Sequence, residues 1–306
     1  MTADSPATGA PAQASLVILL TWFGPWPAWM RFFLASCRYN PTVHWAIIGD
    51  AEPPADVPPN VSFVTHSFAG YRALVAARLG IECAWPSAYK LCDLKPVLGY
   101  LHPELIAGYD FWGFGDIDVI YGDIRAIYDA TVFEHDIISS HPLITAGHLT
   151  LIRNSPRLNA SFKRVRGWRG LLSRPDHRGF DEFQWSHLFS ELRGDTWFAR
   201  VRQRLRSPSL PAKGYFVEQH SSALWPLPWI DGSTNYPEFW YWRRGRLTAT
   251  GAGDREFLYL HFTNWQSSRW VDGDVAVWKR LDSIDHLAAG RPDAFRIGAD
   301  GFTALD

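Results

Sequence analysis

The chain has 306 residues, of which 47% are hydrophobic and 20% are charged, values typical of a globular protein with one large α/β domain or two small ones. A formal net charge of −1 argues against a broad nucleic-acid-binding face. Cys37, Cys83 and Cys92 lack metal-ligand spacing and are odd in number. We therefore expect a reducing compartment and no disulfide framework.

Residues 1–14 are rich in Ala, Pro, Thr and Ser and carry no basic leader, which predicts a disordered tail. Two prolines, a glycine and an arginine interrupt the mostly apolar stretch 16–37, so its uninterrupted run is too short to span a membrane. We expect a cytoplasmic protein without a transmembrane segment. The sequence is also compatible with peripheral contact at the inner face of the membrane.

Strand and helix patterns alternate at the start of the chain. Apolar runs predict strands at 15–21, 43–48 and 61–65, and residues 28–39 have a helical pattern. This order implies an α/β fold with a parallel sheet and right-handed crossovers. Further along, the same patterns predict helices over 87–100, 158–172 and 181–192, strands over 111–119, 137–140, 148–153 and 258–262, and a hairpin over 239–249.

Two aspartates, Asp116 and Asp118, flank Ile117 at the end of a largely apolar run. Residues at i and i+2 of an extended segment point the same way, so both carboxylates would converge at a strand end while Ile117 faces the core. Such a pair can hold a divalent cation that keeps open positions for phosphate oxygens. The alternative is a solvated turn, but the apolar neighbours favour the edge of a buried strand, where carboxylates need a partner.

Ligands of open α/β sheets bind at the carboxyl ends of the strands. The first strand ends at Thr21 and Trp22, and the second ends at Asp50. These residues would supply a stacking aromatic ring and an acid for a ribose or base, although Asp50 could equally be a turn or cap residue. The first strand is followed by no Gly-x-Gly-x-x-Gly, and the sequence has no Walker lysine loop, which argues against dinucleotide dehydrogenases and P-loop enzymes.

Four segments together resemble the GT-A glycosyltransferases, which use nucleotide sugars. Their order is similar to that of glycosyltransferase family 8 and of uncharacterised bacterial polysaccharide-type transferases. The segments are the strand–helix–strand unit ending at Asp50, residues 88–96 with the strand ending in Asp116-Ile117-Asp118, residues 179–185, and residues 258–266.

The resemblance implies one GT-A domain with a Rossmann-like, mostly parallel central sheet, flanking helices and a C-terminal acceptor-side subregion. Residues 15–130 would form the nucleotide-sugar-binding half, and residues 131–290 would form the acceptor-binding and catalytic half. Residues 291–306 would be a C-terminal tail.

The resemblance also implies a metal site. In family 8 a late histidine after a short strand completes this site, and His261 matches it by context, so Asp116, Asp118 and His261 are expected to bind Mn²⁺ or Mg²⁺. Taken alone, His261 could also be a histidine satisfied within the core. Family 8 continues with Gly, Lys, Pro and Trp, whereas this chain continues with residues 262–266, and the lysine that contacts the diphosphate there has no match.

Lys90 and Asp93 lie three apart on a predicted helix and could contact phosphate and sugar, or form an ordinary surface ion pair. Lys95 could contact phosphate or neutralise the aspartates. The predicted nucleotide-sugar contacts are Thr21, Trp22, Asp50, Lys90, Asp93 and Asp116.

Asp181 and Glu182 are the candidate catalytic residues, because they fall where the resemblance places the reacting sugar carbon. Either acid could stabilise an oxocarbenium-like centre or deprotonate the acceptor. Both could instead be a helix cap and a first-turn acid. The acceptor or sugar candidates are His148, Gln184, Asn264 and Trp265; for the histidine and the tryptophan, core packing is the alternative.

We therefore predict a metal-dependent glycosyltransferase of the hexosyltransferase type. It would move a sugar from a nucleotide sugar, with a UDP-sugar favoured, to a glycan, glycolipid or small-molecule acceptor. Retention of stereochemistry rests on the resemblance alone. The alternatives are a sugar-nucleotide nucleotidyltransferase, which usually carries a Gly-rich basic loop after the first strand, and a non-catalytic carbohydrate-binding protein, which the 16 Trp would suit.

Overall fold

The computed structural model describes residues 13–189, 210–221, 227–233, 237–262, 292–298 and 301–305. The strands are β1 (Leu16–Trp22), β2 (Val43–Gly49), β3 (Val61–Thr65), β4 (Phe111–Gly115), β5 (Val119–Tyr121), β6 (Ile137–Ser139), β7 (Leu149–Arg153), β8 (Gly214–Phe216), β9 (Trp240–Arg243), β10 (Arg246–Ala249), β11 (Tyr259–His261), β12 (Ala294–Gly298) and β13 (Gly301–Ala304). The α-helices are α1 (Met30–Arg38), α2 (Phe68–Leu79), α3 (Leu98–Leu101), α4 (Pro103–Ile106), α5 (Ile124–Ile127), α6 (Pro156–Asn159) and α7 (Trp168–Ser173). Tighter 3₁₀ turns are Ala88–Val97, Val132–Glu134, Ser161–Arg164 and Ser186–Leu188, and Phe180–Trp185 is a π-helical turn.

A seven-stranded sheet forms the centre of the described part of the chain. Its strand order is β3-β2-β1-β4-β7-β6-β8. The strand β1 pairs in parallel with both β2 and β4, and β7 runs antiparallel to its two neighbours. The predicted α/β class and the mostly parallel central sheet are confirmed.

Both faces of this sheet are buried, because apolar side chains succeed one another along β1. Leu19 belongs to the core on one face together with Val75 of α2, whereas Leu20 belongs to the core on the other face together with Phe33 of α1. Successive strand residues point to opposite faces, so a continuous apolar run suits a strand that is covered on both sides. The sheet is therefore the middle of three layers.

A second, four-stranded sheet has the order β10-β9-β12-β13 and packs against α1. The ring of Phe32 in α1 lies 4.7 Å from that of Phe295 in β12, measured between centroids. Trp242 is buried and donates its indole N–H to the carbonyl of Tyr121 at 2.8 Å. The predicted hairpin is confirmed as β9 and β10, with Gly245 at a positive φ of 88° in its turn.

The helix α2 lies where no element was predicted. The Ser67 side chain accepts a hydrogen bond from the Gly70 N–H at its start, and Gly80 ends it at a φ of 64°. A serine N-cap and a glycine in the left-handed region are the usual limits of a helix. Ser67 and Gly80 are therefore the residues from which α2 could have been predicted.

Several predicted elements are shorter or more irregular than expected. The predicted strand over 111–119 was wrong beyond Gly115, because β5 is a separate strand. Residues 87–100 are mainly 3₁₀ and include Pro96, which has no N–H for an α-helical ladder. Residues 158–172 break into short pieces, with Gly167 at a φ of 74°.

Candidate active site

A cleft of about 700 Å³ opens at the carboxyl ends of β1 and β4. This is the edge at which ligands bind in open α/β sheets. Eight predicted site residues line the cleft: Thr21, Trp22, Asp116, Asp118, His148, Asp181, Glu182 and His261. Its other charged or titratable lining residues are Tyr89, Cys92, Lys95 and His177.

The metal-ligand candidates meet because β11 pairs antiparallel with β5. This register sets His261 opposite Val119, one residue beyond Asp118. The Phe262 N–H also donates to the Asp118 carbonyl at 3.2 Å. Two segments that are distant in sequence are thereby fixed side by side at the mouth of the cleft.

Asp116, Asp118 and His261 each offer one ligand atom, and these three atoms all lie within 4.8 Å of one another. The His261 Nε2 lies 3.2 Å from Asp118 Oδ2, although the residues are 143 positions apart. Carboxylate oxygens together with an imidazole nitrogen are a ligand set that Mn²⁺ accepts. The residues present therefore fit a divalent cation.

Lys95 supplies positive charge beside these acids. Its Nζ lies 2.6 Å from Asp116 Oδ1, and its side chain is 8% exposed. Burial lowers the pKa of Lys95, but the Asp116 carboxylate together with Cys92 and Asp181 offsets this, so the pKa of Lys95 is raised. Burial raises the pKa of Asp116, and Lys95 opposes that rise. The expectation that Lys95 neutralises the aspartates agrees with this geometry.

His261 is held in place by the ring of His148. The two rings are stacked, with centroids 4.5 Å apart and planes within 15°. Burial, followed by the neighbouring His261, holds the pKa of His148 well below its ordinary value. His148 was predicted to contact sugar, and the structure adds that its ring stacks on the imidazole of His261.

The two candidate catalytic acids lie beside Gly147, just before β7. Asp181 is 3% exposed, and burial raises its pKa to about 8, with Glu182 adding to the rise. Glu182 accepts a hydrogen bond from the Gly147 N–H at 3.2 Å. A Cβ at Gly147 would lie 2.9 Å from Glu182 Oε1 and 3.0 Å from Asp181 Oδ2, so glycine leaves room for both carboxyl groups.

Asp181→Asn is expected to change how stability depends on pH. The carboxyl keeps its proton in the folded state up to about pH 8, whereas its ordinary pKa is 3.8. The folded state therefore binds more protons than the unfolded state across this window, and stability falls as pH rises through it. Asparagine does not titrate. As the pH rises from 3.8 to about 8, the free energy of unfolding of Asp181→Asn should therefore increase relative to that of wild type.

Urea unfolding of both proteins in chelator, at about pH 5 and about pH 8, measures this difference. Asp254→Asn is the matched control, because Asp254 is exposed in a turn. Its stability curve should run parallel to that of wild type. The same parallel behaviour in Asp181→Asn would show that Asp181 is ionised in the folded protein.

Lys90 and Asp93 lie outside the lining of the cleft. The Lys90 Nζ is 2.6 Å from Asp93 Oδ2 and donates to the carbonyls of Leu171 and Asp176, each at 3.0 Å. Lys90 is 1% exposed and Asp93 is fully buried, so the ion pair is present but lies in the core and not at the surface. With three acceptors the ammonium has used its three donors. The predicted contact of Lys90 with phosphate has no support in this geometry.

The Asp93 carboxylate binds the backbone of a neighbouring segment as well as Lys90. Its carboxylate accepts hydrogen bonds from the backbone N–H groups of Arg178 and Phe180, at 2.9 Å from each. These residues lead directly into Asp181. Asp93 therefore positions the segment that carries the candidate catalytic acids, and its predicted contact with the nucleotide sugar has no support in this geometry.

Two further predicted residues, Asp50 and Gln184, do not line the cleft, and two more lie outside the described residues. Asp50 is exposed and accepts a hydrogen bond from the Gly24 N–H at 2.7 Å, which fixes the loop after β1, as the turn alternative expected. Gln184 does not line the cleft. Asn264 and Trp265 lie outside the described residues.

The chain belongs to the family of unknown function DUF6625, whose model matches residues 18–281. No curated protein matches the chain in sequence. The described residues contain no helix that is both long enough and apolar enough to cross a membrane.

Two solved structures are similar to part of the chain. One is the glycosyltransferase GlyE of Streptococcus pneumoniae TIGR4, with 8% identity and a TM-score of 0.31 over 65% of this chain and 46% of GlyE. The chain thus spans about half of that protein. The other is mouse xyloside xylosyltransferase 1 in its apo form, with 12% identity and a TM-score of 0.35 over 68% of this chain and 87% of that one. Both TM-scores are low, so these similarities carry no argument about function. The function proposed below is argued from the geometry of the cleft.

Proposed function

We propose that the chain is a metal-dependent glycosyltransferase of the GT-A type. It would transfer a sugar from a nucleotide sugar, with a UDP-sugar favoured, to a glycan, glycolipid or small-molecule acceptor. One observation carries this proposal: Asp116, Asp118 and His261 meet in a cleft at the carboxyl edge of the parallel strands. The cleft volume of about 700 Å³ falls in the range of small-molecule sites.

A divalent cation held by Asp116, Asp118 and His261 would neutralise negative charge on the diphosphate leaving group. Burial lowers the pKa of His261, but Asp118 and Asp116 together offset this, so the pKa of His261 is raised. The imidazole must lose its proton before its nitrogen can act as a ligand. Lys95 already offsets part of the negative charge of the two aspartates, and its ammonium could also pair with a phosphate oxygen.

The other lining residues suggest where the rest of the donor lies. Thr21 and Trp22 end β1 and would face the nucleoside. Asp181 and Glu182 lie beside Gly147 near the start of β7, two strands along the sheet. A protonated Asp181 can donate a hydrogen bond to a sugar oxygen, whereas Glu182 can accept one from a hydroxyl. Retention of stereochemistry, proposed from the resemblance to family 8, would place one of these acids beside the reacting carbon.

Release of free nucleotide from a panel of UDP-, GDP- and CMP-sugars, with Mn²⁺ or with chelator, tests the proposal. We expect slow, Mn²⁺-dependent hydrolysis of one donor class, because water replaces the missing acceptor. Formation of a sugar nucleotide from a sugar phosphate and a nucleoside triphosphate would identify a nucleotidyltransferase instead. Saturable glycan binding without any turnover would identify a carbohydrate-binding protein.

A further inference from the structure

Tyr89 is the most exposed large hydrophobic side chain in the described part of the chain, at 67%. It nevertheless lines the cleft. Its backbone N–H donates to the Ser87 side chain at 3.2 Å. Its ring meets the His177 ring edge-on, with centroids 5.0 Å apart and planes at 61°. An aromatic ring that packs against a neighbour yet stays open to solvent is suited to contact with a ligand.

The position of Tyr89 favours one part of the substrate over another. Tyr89 is the second residue of the 3₁₀ segment Ala88–Val97, and His177 precedes the turn that carries Asp181 and Glu182. Tyr89 therefore lies on the side of the cleft that holds the acid pair. The nucleoside belongs at the end of β1, beside Trp22, which leaves Tyr89 to the sugar end of the site.

A pyranose ring matches this surface chemically. One of its faces presents C–H groups, which gain by covering an aromatic ring, while its hydroxyls point outward to polar partners. Glu182 lines the same cleft as Tyr89, and its carboxylate can accept hydrogen bonds from such hydroxyls. At an exposed rim, the remainder of a longer saccharide can stay in solvent.

We propose that Tyr89 is the stacking platform for the acceptor saccharide, with Glu182 as a hydrogen-bond acceptor for its hydroxyls. This proposal rests on the proposed transferase function. It names the acceptor as a pyranoside that binds through its apolar face. It also makes the ring of Tyr89, more than its hydroxyl, the feature that determines acceptor affinity.

Two variants and a control test this proposal. Tyr89→Phe keeps the ring, Tyr89→Ala removes it, and Tyr241→Ala removes an outward-facing tyrosine of β9 in the second sheet. The probes are methyl glycosides of glucose, galactose, mannose and xylose. Saturation-transfer NMR measures their binding directly, and assays with the nucleotide sugar that wild type hydrolyses measure KM for the glycoside and for the donor.

We expect Tyr89→Ala to raise the KM for the glycoside about tenfold, more than it raises that for the donor, and to weaken the NMR signal similarly. Tyr89→Phe and Tyr241→Ala should bind the glycoside like wild type. Three results would overturn the platform: unchanged glycoside binding by Tyr89→Ala, a larger effect on donor KM than on glycoside KM, or a wild type that binds no glycoside.

Failure of the proposed function is distinguishable from failure of the platform. If wild type hydrolyses no nucleotide sugar but binds a methyl glycoside, and Tyr89→Ala loses that binding, the saccharide platform stands without the transferase. If wild type hydrolyses a nucleotide sugar and Tyr89→Ala binds glycosides normally, the transferase stands without the platform.

Discussion

Asp118→Asn should lower Mn²⁺-dependent nucleotide-sugar turnover on the order of 100- to 1000-fold, because it removes one of two carboxylates that would hold the cation. The change also removes the charge that faces the His261 Nε2 at 3.2 Å. Asparagine has nearly the same shape, so the fold should persist. The measurement is the initial rate of nucleotide release across a Mn²⁺ titration, together with the thermal unfolding midpoint of each protein.

The matched control is Asp254→Asn, which removes a carboxylate from an exposed turn outside the cleft. Its turnover should equal that of wild type. Excess Mn²⁺ should restore part of the activity of Asp118→Asn if the loss lies in cation affinity. Full activity of Asp118→Asn at low Mn²⁺ would show that the cation, if one is needed, binds elsewhere.

Lys90→Met should destabilise the protein by about 3–5 kcal/mol, since it leaves the buried Asp93 carboxylate without its cation. Two carbonyls, those of Leu171 and Asp176, also lose their donor. Urea unfolding measures the free energy of unfolding. Turnover at a temperature where the variant is folded should also fall, because Asp93 holds the backbone that leads to Asp181.

Two further variants separate charge from packing. Lys90→Met combined with Asp93→Asn removes both charges while Oδ1 can still accept backbone hydrogen bonds, so part of the lost stability should return. Arg174→Met breaks an exposed ion pair with Asp176 and should leave the free energy of unfolding in urea unchanged. A double variant no more stable than Lys90→Met would mean that the unpaired charge is not the source of the loss.

The first three strands and α1 were predictable, because apolar runs and helical periodicity are local properties of the chain. β1 is buried on both faces, and its run of apolar residues matches that position. The apolar residues beside Asp116 and Asp118 likewise predicted that this pair borders a buried strand, and β4 is buried. Local patterns of this kind need no knowledge of the tertiary fold.

The assembly of the site was not predictable from local patterns. Asp118 and His261 meet only because β5 pairs with β11, and no periodicity in either three-residue strand specifies that partner. The resemblance to a known family supplied His261, and the residue types alone did not.

Burial of the Lys90–Asp93 pair was also hidden from the sequence. Spacing of i and i+3 is common on exposed helices, and here the segment that returns through residues 171–180 covers the pair. Tyr89 was missed for the opposite reason. An exposed tyrosine has no sequence pattern, and its place in the cleft depends on how the 3₁₀ segment packs against the π-helical turn.

The location of the cation tests the central claim most directly. Crystals grown with Mn²⁺ and uridine diphosphate should give an anomalous difference peak between the side chains of Asp116, Asp118 and His261, with diphosphate oxygens completing its coordination. Crystals of Asp118→Asn under the same conditions should show a weakened peak or none. Uridine diphosphate bound in the cleft with no Mn²⁺ at these side chains would contradict the proposed metal site.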